Sequence, residues 1–241
     1  MSTFIISITM TTAVLAVYSI IPTAILRAAN MAANASLRKD KVICLTFDDG
    51  PSPEYTPALL ALLAKYNIKA TFFVMAGAVR ENPYLLDAIR KAGHSVALHT
   101  MDHKCPLFTG ARKTEEDFRN SMEIMDGMGT EIRYFRPAWG TFNLKMLAEI
   151  RRRGLKTVLW NVMVGDWEGR TTAETLEKRL YSRVGDSSLI CLHDGRGKND
   201  APARTIAALD RMIPVWKREG YSFLTIEEYY GTIRSKKENA A

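Results

Sequence analysis

The stretch VICLTFDDGPSPEYTPALLALLAKYNIKATFFVM, residues 42–75, decides how this chain folds. It opens on VICLTF, an apolar, β-branched-rich run of the length and composition of a buried strand. Asp48-Asp49-Gly50-Pro51 stops that run abruptly. Thr56-Pro57 then starts a helix, with Thr56 expected as N-cap and Pro57 at the first helical position. ALLALLAKYN carries the helix, and ATFFVM is a second apolar strand. Strand, helix and strand in this order make a crossover unit, so the two strands are expected to run parallel.

The same alternation continues outward. Asn82-Pro83 opens the helix PYLLDAIRKAG and Gly93 closes it; SVALHT follows as a third strand. A polar helix is expected around residues 114–128. RYFRPA and KTVLWNVM are strands on either side of the helix NLKMLAEIRRRG. Thr171 and Glu174 have the spacing of a capping box for AETLEKRLYSRV. SSLICLHD, a helix around residues 201–219 and the strand SFLTI complete the series. Repeated strand–helix alternation means an α/β fold with a parallel sheet, either a barrel or a doubly wound sheet. The chain has no GxGxxG and no P-loop, so the common nucleotide-binding readings have no support.

Composition narrows the field. Of 241 residues, 47% are hydrophobic and 24% charged, a balance that excludes a disordered chain and suits one large domain with an accessory segment. The net charge of +7 permits an anionic partner. The basic residues are scattered, however, and the densest run, Arg151-Arg152-Arg153, closes a helix, so nucleic acid is not expected as a partner. Cys44, Cys105 and Cys191 are odd in number and lack CxxC spacing, which argues against a disulfide framework. Cys44 and Cys191 lie in strand runs and are expected to be buried and inert.

Residues 4–26 carry no charge, and about 23 such residues suffice to cross a bilayer. A cleavable signal peptide fits less well, because no basic segment precedes the long apolar run. The expected organisation is a single transmembrane helix and juxtamembrane linker over residues 1–35, one catalytic domain over 36–235 and a disordered tail over 236–241. Nothing in the sequence signals oligomerisation, so a monomer is expected.

Polar residues gather at the ends of the predicted strands. Asp48-Asp49 follow the first strand, His99 and His103 the third, Arg136 ends the fourth, Asp166 follows the fifth and His193-Asp194 end the sixth. In a parallel barrel these ends share one rim. His99 and His103 are four apart, a spacing that on a helical turn puts both imidazoles on one face to grip one metal ion. Asp48 or Asp49 can supply a third ligand, and two imidazoles with one carboxylate leave a coordination position open. His193 reads either as a satisfied core histidine or as a general acid titrating near neutrality. His94, in a helix-to-strand turn, reads as structural.

TFDDGP, HTMDH, RPAWG, DW and LHD occur in an order and spacing that resemble the polysaccharide deacetylases, the family four carbohydrate esterases, over residues 40–230. The resemblance implies a distorted (β/α) barrel of seven or eight parallel strands and a metal-dependent N-deacetylase. It makes Asp48 the general base, and Asp49, His99 and His103 the ligands of one divalent ion, zinc by default with cobalt or nickel also suited. It makes His193 the general acid. Arg136 would orient the base, Asp166 would tune His193, and the Trp139 amide would face the developing oxyanion. Trp139 and Trp167 are expected against the sugar or acetyl group, with Cys191 and Leu192 completing the substrate-facing set. Three departures stand out: Met163 replaces the first acid of a DxxDW pattern, Cys191 stands where leucine is common, and Ala138-Trp139 replace proline and tyrosine.

The implied substrate is an N-acetylated glycan, peptidoglycan or a chitin-like oligosaccharide. A lipid-linked amino sugar as substrate of a deacylase or deformylase, and a non-catalytic metal-dependent sugar-binding protein, are the alternatives. A wall substrate places the domain outside the cytoplasm. Arg27, Arg38, Lys39 and Lys41 all follow the apolar run, which by the positive-inside rule favours the cytoplasmic face.

Overall fold

A computed structural model describes residues 13–35 and 40–231. The expected tail over 236–241, the Arg38-Lys39 pair and the first part of the expected span lie outside the described residues.

Near the start of the described residues a π-helical turn, Ala16–Ile20, runs into helix α1, Ile21–Ala35. Eight parallel strands follow: β1 Val42–Asp48, β2 Thr71–Val74, β3 Ser95–Leu98, β4 Tyr134–Phe135, β5 Lys156–Thr157, β6 Val162–Met163, β7 Ser188–His193 and β8 Ser222–Phe223. Between them lie α2 Thr56–Lys65, α3 Ala76–Glu81, α4 Pro83–Lys91, α5 Ala111–Gly127, α6 Leu144–Arg152, α7 Ala173–Arg183 and α8 Ala201–Arg218.

The strands pair in the order β5-β4-β3-β2-β1-β7-β6, and β8 joins the start of β1. The predicted strand KTVLWNVM splits into β5 and β6, which sit at opposite ends of this order. Residues 158–161 carry the chain from one edge to the other. Val158 N–H still donates to Phe135 O and Asn161 N–H to Leu189 O. So short a link brings the two edges close, and the sheet curls into a barrel that the ladder itself does not close.

Burial on both faces explains why β1 reads as a near-continuous apolar run rather than an alternating one. Strand parity then sorts the side chains. Ile43, Leu45 and Phe47 point outward and pack with Leu59, Leu63 and Trp216 under the helices. Cys44 points the other way, into an inner cluster with Phe73, Ala97, Tyr134, Val158 and Leu189. Counting by two from Cys44 reaches Thr46 and Asp48, and from Leu189 it reaches Cys191 and His193. The β1–β7 register pairs Thr46 with Cys191 and Asp48 with His193. The polar residues therefore cap the inner core at the carboxyl rim of the strands.

Three helix starts differ from expectation. Thr56 lies inside α2 instead of capping it: its hydroxyl accepts from Ser52 N–H and donates to Asp194 Oδ2 at 2.6 Å. The residue that caps α7 is Thr172, one beyond the expected Thr171, and it accepts from Thr175 N–H. Asn82 precedes Pro83 at the start of α4 without a side-chain cap bond. Asn143, not singled out in the sequence, caps α6 by accepting from Met146 N–H.

The helix over Ala13–Ala32 is long and apolar enough to cross a membrane. It is also one-sided. Ser19 and Thr23 are buried against the domain and Leu26 packs on its core, while Val14, Val17, Ile21 and Ile25 are exposed on the other face.

Candidate active site

The two aspartates at the end of β1 face different partners. Asp48 continues the strand and points inward. Arg136 Nη1 donates to Asp48 Oδ1 at 2.6 Å and to Thr46 Oγ1 at 2.8 Å, and Arg136 Nε donates to Val158 O at 3.1 Å. The guanidinium lies over the Phe73 ring at 3.9 Å and is 0% exposed. A charge so deep is retained only when paired. Replacing Arg136 with methionine leaves the Asp48 charge buried and alone, and should cost about 3–5 kcal/mol of stability, measured by denaturant unfolding. Cys191 Sγ donates to the other oxygen, Asp48 Oδ2, at 3.3 Å.

Asp49 adopts φ 72°, which turns its side chain away from that of its neighbour. Its Oδ1 lies 3.3 Å from His99 Nε2 and 3.2 Å from His103 Nε2. The expected helical turn for HTMDH is absent. His99 directly follows β3, and Thr100 and His103 have φ 67° and 57°. Left-handed backbone, rather than helical periodicity, brings the imidazoles together, with ring centres 5.3 Å apart.

That loop is held at several points. Ala76 and Gly77 N–H, at the start of α3, donate to Thr100 O and Met101 O. A Cβ on Gly77 would meet Met101 O at 2.8 Å, so the close approach needs glycine. Met101 N–H donates to both carboxylate oxygens of Asp117, at 3.2 Å each. Burial pushes the Asp117 carboxyl up to about 6. Asp117 carries no sequence signal beyond a polar helix position. Asp117→Ala should weaken metal affinity by about tenfold, measured by competition with a chelator.

The donor set suits a divalent ion. His99 Nδ1 lies 2.8 Å from Arg136 O, a carbonyl that can only accept. Nδ1 therefore carries a proton, and Nε2 is the ring nitrogen that faces Asp49 and could bind a metal ion. Asp49 Oδ1 is buried and makes no hydrogen bond among the described residues. Burial opposes its charge, yet the adjacent imidazoles hold the carboxyl at about 2. Burial brings His103 down to about 4, so it is neutral at pH 7. One carboxylate and two imidazoles are a ligand set that zinc and its neighbours bind. Asp48, Cys191 and His193 also lie within 4.8 Å of one another. They are a poor metal site, because Arg136 occupies Asp48 and burial keeps the Cys191 thiol protonated.

His193 is gripped by Asp166. Asp166 Oδ1 lies 3.0 Å from His193 Nδ1, while Oδ2 accepts from His193 N–H at 2.8 Å and from Thr205 Oγ1 at 3.2 Å. Burial alone would lower the imidazole pKa, but Asp166 outweighs it and pushes the pKa up to about 9. Asp194 points back under the turn, and burial raises its carboxyl to about 7. A Cβ on Gly50 would fall 2.3 Å from Asp194 Oδ1, so glycine lets the turn sit on this carboxylate. The sequence placed Asp194 at the rim without giving it a task.

Trp139 and Trp167 flank the cluster. The Trp139 ring is 5.4 Å from that of His103, and Trp167 meets His193 edge-on at 5.2 Å. Trp139 is 62% exposed, ready for a ligand to cover. Cys191 is buried beside Asp48. Leu192 does not join the site: it is out of phase with Cys191 and His193 and fully buried in the outer core. His94 accepts from Ala70 N–H and is structural, as expected.

A curled parallel sheet with an Asp-His-His cluster, a buried Asp–Arg pair and an Asp-supported histidine on its carboxyl rim defines a hydrolytic, metal-dependent deacetylase fold. The family model for polysaccharide deacetylase matches residues 36–158. A peptidoglycan-N-acetylglucosamine deacetylase of Bacillus cereus is 35% identical over 191 residues, covering 78% of this chain and 88% of the relative. A chitooligosaccharide deacetylase of Sinorhizobium fredii is 34% identical over 188 residues, covering 74% and 87%. Among solved structures, the peptidoglycan deacetylase PdaC of Bacillus subtilis superposes with a TM-score of 0.74 at 26% identity, covering 84% of this chain and 96% of that one. The chain belongs to the polysaccharide deacetylase family.

Proposed function

We propose that this protein removes N-acetyl groups from amino-sugar glycans of the cell wall, peptidoglycan or chitin-like oligosaccharide. The observation that carries the reading is the separation of Asp48 from Asp49: one is held by a buried arginine, the other by two imidazoles. Asp49, His99 and His103 would hold one divalent ion, most suitably zinc. When bound, such an ion polarises the amide carbonyl and acidifies water.

The chain's own groups do the rest. Asp48, fixed through Oδ1 by Arg136, accepts the attacking water's proton on Oδ2. The Trp139 N–H belongs to a left-handed turn whose indole packs beside His103, and it donates to the carbonyl oxygen as that atom gains charge. His193, with Nδ1 held by Asp166, donates its Nε2 proton to the departing nitrogen. The water's oxygen ends in acetate and the sugar keeps a free amine. The indoles of Trp139 and Trp167 line the approach and shield the reacting amide from bulk water.

The exposed apolar face of the N-terminal helix is what supports membrane anchoring; domain bounds near 36–235, a monomeric enzyme and a site outside the cytoplasm belong to the same proposal. The test uses the full chain in detergent with N-acetylglucosamine oligomers and peptidoglycan. Acetate release that a chelator abolishes and zinc restores is expected. Glycan binding with no acetate released from any amide-bearing sugar would establish a binding protein instead.

A further inference from the structure

We infer that Arg27 and Thr23, on the N-terminal helix and outside the family-matched region, are positioning residues for the active-site loop, so that this part of the helix, docked on the domain, completes the site. The inference rests on the proposed role of Trp139 in the deacetylase reaction.

The loop from Ala138 to Phe142 has several backbone groups that find partners on this helix. Arg27 Nη2 donates to Trp139 O at 2.8 Å and Arg27 Nε to Gly140 O at 2.9 Å. Thr23 Oγ1 accepts from Phe142 N–H at 2.8 Å and donates to Phe142 O at 3.1 Å. Four backbone groups of one short loop thus depend on two side chains more than a hundred positions away.

The loop needs such support. Trp139 and Gly140 have φ 60° and 59°, a left-handed pair whose two carbonyls are both taken up by Arg27. Gly140 also leaves the space that the guanidinium uses. A Cβ there would meet Arg27 Nη2 at 3.1 Å and the Trp160 ring at 2.8 Å. A planar, always-charged fork suits two adjacent carbonyls, which a single ammonium cannot bridge equally. The peptide that Arg27 grips through Trp139 O lies next to the one bearing the Trp139 N–H. Loss of the fork frees that N–H to move relative to His103, and its contribution to the transition state falls while ground-state glycan contacts remain.

The test compares wild type, Arg27→Ala, Arg27→Lys and Thr23→Val as full chains in detergent, with metal content and melting temperature measured alongside. Expected for Arg27→Ala is a fall in kcat of about tenfold, the scale of one charge-assisted hydrogen bond, with KM within about twofold and zinc content unchanged. Arg27→Lys should recover part of kcat, and Thr23→Val should show a smaller loss of the same kind. An unchanged kcat in Arg27→Ala overturns the inference. So does a loss shared equally by Arg27→Lys and accompanied by lost zinc, because that reports general destabilisation. If wild type itself releases no acetate, the deacetylase reading fails; if wild type is active and Arg27→Ala matches it, only the role of the helix fails.

Discussion

Asp49→Ala is expected to abolish both metal binding and acetate release, whereas Asp48→Asn keeps the metal and loses about 10²–10⁴-fold in kcat. The two residues are adjacent in sequence, so the contrast tests geometry rather than location. Asp49 Oδ1 is the oxygen that faces both imidazoles. Without it, two neutral histidines are a weak pair of ligands. Asp48 is turned the other way, and its asparagine replacement still accepts from Arg136 through the retained carbonyl oxygen. The asparagine lacks the basic oxygen that takes a proton. Metal content by elemental analysis and turnover by acetate release separate the two variants. Equal metal loss in both would mean that Asp48 is a ligand, and the division of labour would be wrong.

The gathering of these residues at one rim was legible because parallel strands alternate with helices and strand ends share a rim, whereas the split of roles between Asp48 and Asp49 came from the family resemblance alone. Each residue set at a strand end, from Asp48 to His193, lies where that rule puts it. What stayed illegible depends on contacts between distant segments. The left-handed residues Asp49, Thr100 and His103 have no local signature, so HTMDH read as a helical turn although its imidazoles converge by loop geometry. Leu192 read as part of the substrate-facing set, but it lies one residue from Cys191, and a one-residue step in a strand reverses the face. Asp117 looked like any polar residue of α5, because its partner is a backbone amide in another loop. The short link over residues 158–161 hid inside one apolar run, since periodicity does not record that a strand has changed edges. The same limit concealed Arg27, which read as a flanking cation of an apolar segment until its two carbonyl partners were placed beside it.

His193→Ala should retain metal and lose about 10²–10⁴-fold in kcat at every pH, because no other group replaces the proton donated to the leaving nitrogen. Asp166→Asn should act on the same step but through pH. With Asp166 in place, the imidazole is held up at about 9, so it remains charged and able to donate until the pH rises through that value. The wild-type rate should therefore fall on an alkaline limb near pH 9. Removing the carboxylate leaves the burial that disfavours the cation, and the limb moves toward acid. At pH 8 a histidine with an ordinary pKa of about 6.5 is only about 3% protonated, a loss of roughly thirtyfold from protonation alone. Lowering the pH should recover part of that loss in Asp166→Asn and none of it in His193→Ala. The pair also contributes to stability with the same sign: a raised folded-state pKa favours the native protein below about pH 6.5, and the benefit disappears as pH rises through about 9. Melting temperatures across that window should converge between wild type and Asp166→Asn at the alkaline end. An unmoved alkaline limb in Asp166→Asn would detach His193 from the proton transfer and leave it a structural histidine at the rim.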